Sequence, residues 1–142
     1  MNDLAFRNQG PKISAIEISR FEKKYIFMLP NDFRQYLLES NGGTPNKVYY
    51  LESKADLVVN FFYSLGSQKY SLEGAIDDMK YDDPVVAKDF IPIGEDAFGN
   101  VLCLSVNEQT YGNVFSWDHE ERNVRFISTS FSNLLKGLKE SI

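Results

Sequence analysis

From residue 90 onward the chain breaks into short β-branched and aromatic runs separated by turn residues, and this pattern limits its fold more than any other. "FIPI" (90–93) and "NVLCLSV" (100–106) are joined through "GEDAFGN", and "NVFSWD" (113–118) and "NVRFIS" (123–128) through "HEER". Strand-length runs so closely spaced, with Gly and Asn between them, predict an antiparallel meander. Ser130 then offers an N-cap. Phe131, Leu134, Leu135 and Leu138 recur at helical spacing, so an amphipathic helix closes the chain against the sheet.

The first half predicts helices. Ser14-x-x-Glu17 forms a capping box, and Ile18, Phe21 and Tyr25 share one helical face. Pro30 suits the first turn of a second helix, where Asp32 complements the positive end. Phe33, Tyr36 and Leu37 form its buried stripe, and Asn41-Gly42-Gly43 ends it. "KVYYL" (47–51) reads as a short strand. "LVVNFFYSLG" (57–66) reads as a longer one, with Val59, Phe61, Tyr63 and Leu65 on one face. "SLEGAIDDMKYDD" (71–83) predicts a short helix stopped by Pro84, with a further helical stretch near 84–89. Residues 1–12 are polar and contain Gly10-Pro11, which predicts a flexible arm before a single domain over 13–142. The expected class is α+β: an antiparallel or mixed sheet of about five or six strands, with N-terminal helices and a C-terminal helix packed against it.

Composition narrows the function. The chain is 43% hydrophobic and 14% aromatic over 142 residues, too apolar for a disordered protein and enough for one core. A single Cys gives no internal disulfide and fits a reducing compartment, so a cytoplasmic location is expected. No apolar run approaches the roughly 18 residues of a membrane span. The net charge is -5, and it is uneven: residues 71–96 hold eight acids against two bases, while the rest nearly balances. The bases form no stripe, which argues against nucleic acid, and the acidic segment favours a basic partner.

"SWDHEE" (116–121) is the stretch that most suggests chemistry, because it holds the only Trp and the only His. If strand geometry runs past Trp117, then Phe115, Trp117 and His119 share one face, and Asp118 and Glu120 point to the other. The His and its neighbouring carboxylates then do not converge. The favoured reading is a core Trp117 with the polar residues at a strand end, where they can touch a partner. One Cys and one His, far apart in sequence, fall short of the usual zinc ligand set, and the acids do not match a calcium loop, so no metal or cofactor is expected. Cys103 lies among apolar residues and reads as an unreactive core thiol. No nucleophile elbow and no phosphate-binding Gly loop appears.

In order along the chain, four segments resemble the SUKH superfamily, the group that includes the yeast Smi/Knr cell-wall regulators. They are "ISRFEKKYIFMLPNDFRQYLLESNGG", "FIPIGEDAFGNVLCLSV", "GNVFSWDHEE" and "STSFSNLLKGL". The likeness runs over about residues 13–138 and fades across 47–89. Its motif residues here are Leu29, Pro30, Asn41, Gly42, Gly43, Phe98, Gly99, Asn100 and Trp117, which the resemblance casts as fold determinants. It also implies a non-enzymatic protein: bacterial relatives look like immunity proteins that bind and block a cognate polymorphic or contact-dependent toxin, often a nuclease, by occlusion. Eukaryotic relatives act in regulation through protein partners. Charge clustering then nominates Asp77, Asp78, Asp82, Asp83, Glu95, Asp96, Asp118, Glu120 and Glu121 as partner-binding candidates. A regulatory scaffold of the same fold, and a small carboxylate-dependent hydrolase, are the alternatives.

Overall fold

Ser14 starts the first helix as its sequence requires. In the computed structural model, which describes residues 4–51 and 56–140, its side chain accepts from the Glu17 amide, and the Glu17 carboxylate accepts in turn from the Ser14 amide at 3.1 Å. Helix α1 (Ala15–Tyr25) buries Ile18, Phe21 and Tyr25. Helix α2 (Asn31–Glu39) follows Pro30, which sits at its N-cap, and buries Phe33, Tyr36 and Leu37. Glu22 holds the connection between them. Its carboxylate is buried, accepts from the Leu29 amide at 2.7 Å and pairs with Arg34.

The remaining helices are α3 (Leu72–Asp82), α4 (Pro84–Ala87) and α5 (Phe131–Gly137). Ser71 and Ser130 cap α3 and α5 by accepting from the Gly74 and Asn133 amides, each at 3.0 Å. The strands are β1 (Phe6–Arg7), β2 (Thr44–Pro45), β3 (Tyr49–Tyr50), β4 (Leu57–Phe62), β5 (Phe90–Asp96), β6 (Val101–Ser105), β7 (Val114–Asp118), β8 (Asn123–Ser128) and β9 (Leu138–Lys139). Seven of them form one sheet in the order β8-β7-β6-β5-β4-β3-β9, with all neighbouring strands antiparallel. The α+β class and the meander stand as read. The sheet gains a strand because α5 stops at Gly137, and Leu138, expected in the helix, pairs instead with Tyr50.

Alternation along β6 and β7 sorts the sheet into two faces. Leu102, Leu104 and Val114 join the main core with α1, α2 and α5, where the Phe131 ring meets Phe33, Tyr36 and Phe62 at 4.8–5.3 Å between centroids. Cys103 and Trp117 face the other way and form a smaller cluster with Met79 of α3. Trp117 is therefore buried, as expected, but against α3 and α4.

Two expectations need correction. The predicted face of Val59, Phe61, Tyr63 and Leu65 is interrupted: Val59, Tyr63 and Leu65 are buried but Phe61 is only partly so, because the pairing of β4 with β5 shifts register between Val59 and Phe61. A bulge of this kind inverts the faces beyond it, so Phe62 enters the main core and Phe61 packs on Tyr63 and Tyr70. The arm is not loose either. From Leu4 on it is docked: β1 pairs with β2, Phe6 packs on Tyr36 and Phe62, and the Gly10 amide donates to the Asn41 carbonyl at 3.0 Å. Gly43 permits this approach, since a Cβ there would collide with the Arg7 carbonyl, and its φ of +102° suits only glycine.

Asn41 ties the arm, α2 and the end of β4 together. It is 2% exposed; its amide nitrogen donates to the Pro11 and Leu65 carbonyls at 2.6 and 3.0 Å, and its oxygen accepts from the Leu65 amide at 2.8 Å. Asn41→Ala strands three backbone groups at once. It is expected to lower stability by about 3 kcal/mol, measured by urea denaturation. A loss below about 1 kcal/mol would show that the network is dispensable.

Candidate functional site

The spacing of α3 places Ala75, Asp78, Met79 and Asp82 along one stripe, since residues three and four apart are neighbours on a helix. This stripe borders a cleft of about 410 Å³ between α3 and the β7–β8 turn. The floor is apolar and comes from Tyr63, Met79, Pro92, Val101 and Trp117. Asp78 and Asp82 stand exposed on the rim, while His119 and Arg122 enter from the turn. Asp118 shapes that turn by accepting from the Glu120 and Glu121 amides at 3.0 and 3.2 Å, and Arg122 completes it with a φ of +55°. Arg122 then reaches Asp83 at the end of α3, with N to O at 2.7 Å. Its side chain is 65% exposed whereas that of Asp83 is 10% exposed, and the contact sets where the guanidinium lies.

Behind the rim, Tyr63 donates to Glu95 at 2.7 Å. Burial pushes the Tyr63 phenol up, and the hydrogen bond and charge of Glu95 add to this, so the group stays a neutral donor. Burial likewise pushes up the Cys103 thiol, which is fully enclosed, whereas His119 is exposed. Cys103 is expected to react with a thiol reagent at least about a hundredfold slower in the folded protein than in urea, as followed by absorbance or mass. Equal rates would show an accessible thiolate. Among the described residues, no group of three or more His, Cys, Asp or Glu is placed to hold a metal ion. No described helix is long and apolar enough to cross a membrane.

The model of the SMI1 / KNR4 family (SUKH-1) matches residues 12–137. The chain belongs to this family. Comparison with curated proteins gives no match. In this SUKH-1 domain the nine acids nominated from sequence occupy different settings. Asp78, Asp82 and Asp83 line the cleft, Asp83 half-buried against Arg122. Asp77 is exposed and turned toward Tyr25, whose phenol is pushed up by burial and then by the Asp77 charge. Glu120 and Glu121 are exposed at the turn, and Asp118 holds it. Glu95 is half-buried under Tyr63.

Asp96 is a correction. It is 3% exposed, and it accepts from the Phe98 and Asn100 amides, both at 2.9 Å, so it builds the β5–β6 turn and offers nothing to a partner. Gly99 completes the turn at φ +86°. Phe98 is the converse correction: it stands 79% exposed and does not serve the core. Leu29, Pro30, Asn41, Gly42, Gly43 and Trp117 are all buried. Sequence reasoning missed Tyr63, Met79 and Arg122. Met79 was legible as the apolar residue one turn after Ala75. Tyr63 and Arg122 depend on a bulge and on a turn that only the fold reveals.

Proposed function

We propose that this SUKH-1 domain is a non-enzymatic protein-binding module, acting in the cytoplasm as the immunity partner of a cognate toxin that it blocks by occlusion. Family membership supports a binding role of this kind, as the sequence resemblance implied. The observation that carries the reading is the group of carboxylates at one cleft: Asp78 and Asp82 exposed on its rim and Asp83 at its end, with Asp77 exposed on the same helix and Glu120 and Glu121 exposed on the β7–β8 turn. Such a field attracts a basic surface, speeds encounter and disfavours nucleic acid as a competitor. A nuclease toxin has a basic substrate cleft, so a protein presenting this face can cover it.

Co-expression tests the reading. The C-terminal domain of the protein encoded beside this gene is expressed in a sensitive host with and without the chain. Restored growth and a co-purifying 1:1 complex are expected. Toxicity that the chain does not relieve would refute the pairing.

A further inference from the structure

The cleft combines two chemistries in one opening. Tyr63, Met79 and Trp117 make an apolar floor, each less than a tenth exposed, while Asp78 and Asp82 stand at the rim in solvent. Among the described residues no cation pairs with either rim carboxylate, whereas Asp83 at the cleft's end already holds the Arg122 guanidinium. The site thus displays the ligand it suits, with one position filled from within the chain. A volume of about 410 Å³ lies at the small end of ligand pockets. Asp78, Asp82 and Asp83 outnumber the one guanidinium of Arg122 in the lining, so an anion is disfavoured, and a purely apolar group fills the floor but gains nothing from the rim. A side chain with an apolar stem and a cationic head satisfies floor and rim together. Beside the opening, Phe98 follows Ala97 and precedes the cleft-lining Gly99 on the β5–β6 turn, and it is one of the most exposed aromatic side chains described. Aromatic side chains are enriched at protein interfaces relative to the rest of the surface.

We infer that the cleft between α3 and the β7–β8 turn is a socket for one arginine or lysine side chain of the protein partner, with its stem on the Met79–Trp117 floor and its head between Asp78 and Asp82. The inference rests on the protein-binding reading above and names the group that is bound. Trp117 is the chain's only tryptophan, so its emission reports on the floor. The full chain is titrated with Ac-Gly-Arg-Gly-NH2, with the lysine peptide, and with the citrulline peptide, which keeps the arginine shape without its charge. Amide chemical shifts of α3 are followed in parallel. A saturable response to the arginine or lysine peptide is expected, with roughly millimolar affinity. The citrulline peptide, and the Asp78→Asn/Asp82→Asn variant titrated with arginine peptide, are each expected to bind at least about tenfold more weakly. Equal responses to arginine and citrulline, no saturable response by roughly 50 mM peptide, or full affinity in the variant would each overturn the socket. Failure here is separable from failure of the immunity reading. A chain that rescues cells but does not discriminate arginine from citrulline loses the socket alone, and one that discriminates but does not rescue loses the toxin pairing alone.

Discussion

Phe131→Ala is expected to cost about 4 kcal/mol, enough to unfold a marginal domain of this size. The ring is 1% exposed and lies at the point where α2, α5 and β4 meet. It stands edge-on to Phe33 at 4.9 Å and also contacts Tyr36 and Phe62. Truncation leaves a cavity walled by three aromatic rings, which cannot collapse without moving two helices. The loss should not stop at packing. Asp32 at the start of α2 accepts from the Ser132 amide of α5 at 2.9 Å, so a shift of α5 also strains that bond. A urea transition measures the effect. A loss under about 1.5 kcal/mol would mean that the aromatic cluster is not what fixes the helices to the sheet.

Reversing the exposed acids of α3 gives the second large effect. Asp77→Lys/Asp78→Lys/Asp82→Lys is expected to weaken binding to the cognate toxin by about a hundredfold or more, with much of the change in the association rate. Asp83 is left intact because it is half-buried and paired with Arg122. The three altered positions are exposed, and Asp82 ends the helix, where a cation is favoured by the helix dipole. Stability should therefore change by only about 0.5 kcal/mol per site. Surface plasmon resonance and a denaturation curve on the same sample separate the two effects. Unchanged affinity in a folded variant would remove α3 from the interface.

The parts of this fold legible in the sequence are those set by local chemistry. The capping box of Ser14 and Glu17, the stripe of Phe33, Tyr36 and Leu37, and the turns between β5 and β8 each follow from residues within a few positions of one another. What was not legible depends on contacts distant along the chain. No local signal marks the bulge in β4, which moves Phe62 into the core and Tyr63 to the cleft. The docking of the arm relies on Asn41 and Gly43, some thirty residues away from it. The two-residue strand β9 forms only because β3 offers an edge.

The candidate site follows the same division. Composition located the acidic segment, and helix spacing could place Asp78 and Asp82 on one stripe. It could not distinguish those carboxylates from Asp96. That residue carries the same charge two strand-lengths later in the chain, yet it spends that charge on two backbone amides of its own turn. Phe98 was misjudged for a related reason. A motif in which Gly99 and Asn100 are structural suggests the same for their neighbour, but the turn needs only their backbone and the Asn100 side chain.

If acids around this cleft hold a basic protein partner, calorimetric titration of the purified chain with the cognate toxin domain shows it. At about 0.05 M salt saturable 1:1 binding is expected, weakened at least about tenfold at about 0.5 M salt as the charges are screened. No binding at low salt, or an affinity indifferent to salt, would contradict it.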